Sequence, residues 1–394
     1  MTTRRDVIRT FGLSALGLTF GGLPGLGLAA PAAGDKRFVF VFLRGGMDGL
    51  AAVPAHGDPQ FAAKRGALAG HPPGAEKGAL KLDGMFALNP LLPGMHRMYE
   101  AKELLVVHAI ATPYRERSHF DAQDLLENGT ARAQGRDSGW LNHALGSRKG
   151  IEAIALGTTV PLVARGPHAV NAWSPSVLPA PSADTLDRLT RMYQGDPLLE
   201  SALKRAREAN AQVAGDTMGA QGAGQAVALA RAAGTFLAKA DGPRIATIDF
   251  GGWDSHTTQT GEYAALTRNF RQLDAALAAL KSALGPAWAH TVVAIVTEFG
   301  RTVAPNGSGG TDHGTASAAF LAGGAVNGGR VIADWPGLAD SALHERRDLM
   351  PTTDMRALFK GVLIGHLGMA ESDVETKLFP DSRAVKPLER LLRS

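Results

Sequence analysis

Four short segments set carboxylates and imidazoles in glycine-rich turns that follow apolar runs: Asp48 in FLRGGMDG, Asp254 and His256 in DFGGWDSH, Glu298 in VTEFGRT, and Asp312 and His313 in GGTDHG. In an open α/β sheet, the crevice outside the carboxyl ends of the strands gathers residues that are remote in sequence. Asp, Glu and His side chains meeting there make the oxygen and nitrogen donor set of a one- or two-metal site, which supports hydrolytic chemistry. The chain has no cysteine, so thiolate ligands and disulfides are excluded.

Each segment also has a plainer use. Asp48 in its Gly-Gly turn is placed to reach a cation without a long stem, or to cap a short helix. Asp254 and His256 are two apart, so in extended chain they face the same side and can share an ion. The alternative is a surface Asp that caps a helix starting near Thr260, with His256 in solvent. Glu298 ends an apolar strand three residues before Arg301. The two either pair as ions, or Arg301 turns its planar fork to phosphate or sulfate oxygens. Asp312 and His313 are adjacent and point opposite ways, so one can ligate while the other orients an imidazole, or each can take a different ion. In RSHFDAQ, Ser118 stands where a helix begins, a position suited both to a nucleophile facing backbone N–H groups and to an N-cap, and His119 beside it is a ligand or a substrate contact.

The elements that must position these residues are legible as apolar runs. RFVFVFL at 37–43, ELLVVHAI at 103–110, RIATIDF at 244–250 and TVVAIVT at 291–297 read as buried strands. Helical patterns at 90–101 and 263–284 alternate with them, and the alternation predicts an α/β fold with a mostly parallel central sheet and helices on both faces. Residues of about 182–240 read as a helical insertion, and 58–83 as an irregular excursion above the first strand.

The chain opens on Thr3-Arg4-Arg5-Asp6-Val7-Ile8-Arg9, followed by an apolar run from Phe11 to Ala30 that contains six glycines and Pro24. This is the pattern of a twin-arginine (Tat) export signal, too glycine-rich for a good membrane span. We expect residues 1–32 to be removed, with an uncleaved N-terminal anchor as the alternative, leaving a single domain over 33–394, with a helical insertion, in the periplasm or outside the cell. The Tat translocase would then be a partner during export, and no stable span would remain. Net charge is +4, half of it in the signal, and no basic stripe with interleaved aromatics occurs, so no nucleic-acid partner is expected.

The succession GGMDGL, RSHFDAQ, GGWDSH, TEFGRT and GGTDHG behind such a signal resembles the bacterial domain-of-unknown-function family 1501, grouped with the alkaline phosphatase and sulfatase superfamily. The resemblance implies an alkaline-phosphatase-like domain. It also implies that Asp48 and Glu298 serve one metal, and Asp254, His256 and His313 a second. Phe299 stands where the superfamily carries a histidine. The superfamily's hydroxyl nucleophile falls several residues before Ser118, near Arg115, so Ser118, Thr112 and water all remain open. No cysteine exists to become formylglycine, which disfavours a conventional sulfatase.

The expected activity is therefore hydrolysis of a small anionic ester, phosphate before sulfate, by one or two divalent ions. Zinc or manganese suit the donors best, with calcium or magnesium behind them. The alternative is a non-catalytic envelope protein that keeps the fold and binds a partner protein or a glycan.

Overall fold

The structure, a computed structural model, describes residues 35–147, 151–175, 181–213 and 223–393. The export signal and most of the glycine-rich stretch near 215–224 lie outside the described residues. No helix among them is long and apolar enough to cross a membrane.

Among the described residues eleven strands are formed: β1 (Arg37–Leu43), β2 (Leu80–Lys81), β3 (Ala87–Leu88), β4 (Leu104–Ala111), β5 (Ala153–Leu156), β6 (Asn171–Trp173), β7 (Ile245–Phe250), β8 (Thr291–Val296), β9 (Ser317–Ala322), β10 (Arg330–Ile332) and β11 (Thr353–Asp354). All but the β2–β3 hairpin join one sheet in the order β10-β4-β9-β8-β1-β7-β5-β6, with β11 also pairing β4. The strand at the centre is the one the sequence marks most strongly. Every residue of β1 is buried, and it pairs in parallel with β7 on one side and β8 on the other.

Alternation along β1 divides the interior in two. Val39, Val41 and Leu43 point to a core closed by helices Ala265–Leu284 and Ala223–Ala238. Phe38, Phe40 and Phe42 point to the opposite core, against Trp140 and Phe359. With both faces covered, a strand has no solvent side to mark by polar residues, which is why RFVFVFL is apolar throughout. Truncating one of these phenylalanines would cost about 3–5 kcal/mol.

One strand departs from the expected direction. β9 runs antiparallel to both β8 and β4 in an otherwise parallel sheet. The reason lies in the connection: residues 297–316 contain no helix, and a parallel crossover ordinarily needs one. Because β9 is reversed, this long segment leaves and re-enters the sheet on the same rim. Glu298, Arg301, Asp312 and His313 therefore all stay at the carboxyl ends of β1, β7 and β8. Within the segment the backbone doubles back, with isolated bridges joining Arg301 to His313 and Thr257 to Gly309.

Helices Ala183–Tyr193, Pro197–Val213 and Ala223–Ala238 occupy the region read as a helical insertion. The 58–83 segment carries a short helix, Phe61–Arg65, before the β2–β3 hairpin.

Candidate metal centre

Three imidazoles converge on one carboxylate. His256 Nε2 lies 3.0 Å from Asp254 Oδ1, His313 Nε2 lies 3.4 Å from the same oxygen, and His119 Nε2 lies 3.5 Å from Asp254 Oδ2. His256 Nε2 and His313 Nε2 are 3.0 Å apart. Asp254 and His256, two residues apart in the loop after β7, lie close enough for their side chains to touch. Gly45, at φ 122°, lets the turn after β1 press on this loop: a Cβ there would sit 2.5 Å from the Asp254 nitrogen.

Hydrogen bonds on the far sides of two rings fix which nitrogen faces inward. His119 Nδ1 is 2.8 Å from Glu298 Oε1, and His313 Nδ1 is 2.9 Å from the Arg117 carbonyl oxygen. A carboxylate and a carbonyl only accept, so each Nδ1 carries the proton and each Nε2 presents its lone pair to the Asp254 side. His119 Nε2 is buried and has no hydrogen-bond partner. Behind His256, its Nδ1 lies 3.4 Å from Asp312 Oδ1, itself held by Asn306 at 3.1 Å.

The carboxylates are held in turn. Glu298 is fully buried and accepts from Gly45 N–H at 2.8 Å, Gln123 Nε2 at 2.9 Å and Thr297 Oγ1 at 3.0 Å, besides His119. Burial alone would push its pKa up, but the hydrogen bonds from His119 and Gln123 outweigh it and hold the group below the usual range. The Glu298 hydrogen bond, against the smaller opposing effect of burial, raises His119 above the ordinary imidazole value. Burial lowers His313. Asp254 is held low: burial opposes ionisation, but the Arg301 guanidinium 2.7 Å from Oδ1 prevails. Phe299 packs its ring against both His119 and His313, with centroids 4.7 and 5.1 Å away.

One nitrogen from each of His119 and His313 and one Asp254 oxygen lie within 4.8 Å of one another. Around a four-coordinate ion with bonds of about 2.0–2.1 Å, donors sit about 3.3 Å apart. The His119 and His313 nitrogens stand 3.5 and 3.4 Å from an Asp254 oxygen, and the three-donor set closes within 4.8 Å. Borderline nitrogen and oxygen donors, outer partners that fix the tautomers, and a buried Nε2 without a partner together fit a divalent transition metal.

A family model for proteins of unknown function, DUF1501, matches residues 105–378, which span β4, the His119 helix, the Asp254 loop and the 297–316 segment. The chain belongs to the DUF1501 family. No curated protein matches the sequence of this DUF1501 member. Among solved structures it is similar to a Bacteroides thetaiotaomicron protein described with glycosaminoglycan metabolism, at 11% identity and a TM-score of 0.43 over 89% of this chain and 75% of that one. It is also similar to the phosphonate monoester hydrolase of Agrobacterium radiobacter, at 12% identity and a TM-score of 0.42 over 85% of this chain and 74% of that one. These likenesses are distant, and the reading of the DUF1501 site rests on its own geometry.

Of the residues singled out in the sequence, Asp254, His256, His313 and His119 meet, and Asp312 and Glu298 stand behind imidazoles rather than among the inward donors. Asp48 is elsewhere. Its Oδ1 caps helix Gly49–Ala52 at 3.0 Å from Ala51 N–H, and its Oδ2 accepts from Arg65 at 2.6 Å and from Gln259. Both members of that ion pair are buried. A metal shared by Asp48 and Glu298 is therefore not assembled here, because each carboxylate is already satisfied by different neighbours. Arg301 pairs neither with Glu298 nor with an open cleft. Its guanidinium is fully buried on Asp254, Thr311 Oγ1 and the Thr311 carbonyl, so it positions the carboxylate. Ser118 caps helix His119–Asn128, accepting from Asp121 N–H at 3.5 Å, and Thr112 is buried. Neither hydroxyl is hydrogen-bonded to an imidazole among the described residues.

In the sequence, Gln123 and the Arg117 carbonyl carry no assigned role, and Phe299 is marked only as standing in place of a histidine. Gln123 lies one helical turn after His119, a spacing that puts both on one face and was available as a signal. Arg117 is a non-glycine residue at φ 63°, and no feature of its type announces that.

Proposed function

We propose that this chain is an exported, metal-dependent hydrolase of small phosphate esters, with sulfate esters second, acting in the periplasm or outside the cell. The observation that carries the reading is the pair of inward lone pairs on His119 and His313, locked by Glu298 and the Arg117 carbonyl and aimed at Asp254. His119, Asp254 and His313 would hold the ion, with zinc or manganese suiting the donors best. A divalent ion there supplies Lewis-acid polarisation of an ester oxygen and brings the pKa of water to about 7.

The chain's own residues do the remaining work. Arg301 and Thr311 fix the carboxylate of Asp254, and Phe299 excludes water from beneath two rings. His256 is the exposed imidazole of the group and both its nitrogens face carboxylate oxygens, of Asp254 and Asp312, so it is the residue placed to move a proton at Nε2. With Ser118 serving as a helix cap and Thr112 buried, water is the nucleophile this arrangement favours. That placement of the two hydroxyls is also what favours the second reading, a non-catalytic envelope protein that retains the fold and binds a partner protein or glycan.

Metal content and turnover of aryl phosphate, phosphodiester and aryl sulfate panels, measured on the same preparations, separate the two. Asp254→Ala and His313→Ala should lose metal and activity together, and His256→Ala should lose activity while keeping the metal. A metal-free, folded wild-type protein, or a metal-loaded one that turns over none of the panel, would overturn the hydrolase reading.

A further inference from the structure

Three acceptors from two elements meet at the guanidinium of Arg44, the first residue after β1. Its Nε donates to Asp249 Oδ2 of β7 at 2.8 Å, its Nη1 donates to Gln123 Oε1 at 2.9 Å, and its Nη2 lies 2.8 Å from Glu127 Oε1. Gln123 and Glu127 belong to the helix that begins at His119, and the three are spaced four apart. One stripe of that helix therefore carries the imidazole and both of its contacts to Arg44. The Phe42 ring lies against the guanidinium, its centroid 4.3 Å from Cζ. A rigid fork of five N–H groups holds three acceptors in fixed directions, which an ammonium on a flexible stem does not.

The backbone of the same residue holds the other side of the centre. Arg44 N–H donates to the Phe250 carbonyl at 2.8 Å, and the Arg44 carbonyl accepts from Trp253 N–H at 3.2 Å, one residue before Asp254. His119 and Asp254 come from different elements, and Arg44 is bonded to both. Charge balance explains only part of this. Glu127 and Asp249 are the carboxylates to be neutralised, whereas Nη1 goes to a neutral amide. That amide has one possible orientation, because a guanidinium only donates and a carboxylate only accepts: Oε1 faces Arg44, and Nε2 donates to Glu298 at 2.9 Å. Glu298 in turn holds His119 at Nδ1. A glutamate at 123 would repel Glu298, and a lysine there would repel Arg44.

We propose that Arg44 is a positioning residue of the metal centre: it fixes the helix of His119 against the loop of Asp254, and so sets the spacing of two donors without itself being one. This rests on the metal-dependent reading of the site.

The test is metal affinity of the full protein, read by competition with a chromogenic chelator, together with the visible absorption spectrum of the cobalt(II)-loaded protein, which reports the donors and their geometry. Arg44→Lys keeps a positive charge between Glu127 and Asp249 but not the three directed bonds. It should bind metal about 10–100-fold more weakly, the range for outer partners, and its cobalt spectrum should depart from that of the wild type. Gln123→Leu leaves both ion pairs of Arg44 in place and should move both readouts in the same sense. A wild-type cobalt spectrum or undiminished affinity in Arg44→Lys, whatever its melting temperature, would make Arg44 a fold-stabilising ion pair and overturn this proposal alone. Gln123→Leu takes its place in that comparison if Arg44→Lys does not fold. A folded wild-type protein that takes up no metal would overturn the proposal and the hydrolase reading together.

Discussion

Glu298 Oε1 and His119 Nδ1 stand 2.8 Å apart, a buried carboxylate behind an imidazole whose other nitrogen has no partner. The arrangement makes Glu298 an orienting group. Outer partners of this kind contribute about 10–100-fold in metal affinity. Glu298→Gln should therefore keep the metal site but weaken it by about that factor, read by competition with a chromogenic chelator. Complete loss of binding would make Glu298 a direct ligand instead.

Asp48 offers the converse case. It neutralises Arg65, and both are buried. Breaking such a pair from one side costs about 3–5 kcal/mol, because the remaining charge is stranded. Asp48→Ala should lower the denaturation midpoint sharply, while the folded fraction retains its full complement of metal. Loss of metal from protein that is still folded would restore Asp48 to the coordination sphere.

Ser118 is expected to behave as a helix cap. Replacing it with Ala should cost about 1 kcal/mol of stability and leave ester turnover within a few-fold of the parent. Abolished turnover, or loss of a trappable phosphoenzyme, would show the hydroxyl to be the nucleophile.

Acid should weaken the fold through His108, a residue of β4 far from any glycine-rich turn in sequence. Its Nε2 lies 3.0 Å from the Val53 carbonyl, which makes that nitrogen the donor, and its Nδ1 accepts from Ala109 N–H at 2.8 Å. The neutral ring is thus satisfied at both ends. Burial lowers its pKa from 6.5 to about 4. The unfolded chain takes up this proton first as pH falls, so the contribution is complete above pH 6.5 and is lost between there and about 4. The loss amounts to about 3 kcal/mol. Denaturant titrations across that window should show the decline, and His108→Gln should flatten it. An unchanged slope in the variant would place the acid sensitivity elsewhere.

The strands were readable because complete burial leaves an unbroken apolar run, and Asp254 with His256 because two side chains of ligating type share one short loop after a strand. The roles of the carboxylates were not. Whether an acidic side chain ligates or orients depends on which partner arrives from another element: helix His119–Asn128 brings His119 to Glu298, and the short helix Phe61–Arg65 brings Arg65 to Asp48. The second of these lies in a stretch that reads as irregular, with nothing local to mark Arg65 for burial. Arg301 likewise finds Asp254 rather than its sequence neighbour Glu298, because the doubled-back 297–316 segment turns it toward the other loop. The reversal of β9 had a sequence signal, the lack of a helical pattern between two apolar runs, which outweighs the general preference for parallel units.

That reversed strand has a consequence for how such a site can change over evolutionary time. A crossover helix would tie any change in the loop to repacking of a sheet face, whereas the 297–316 segment begins and ends on one rim and crosses neither. Freedom to vary without disturbing the cores is confined to the tip of the segment at 304–309, because Val303 and Ala316 on its two legs are built into the core on one face. Arg301, Asp312 and His313 are thereby fixed by those legs, set against Asp254 from the loop after β7.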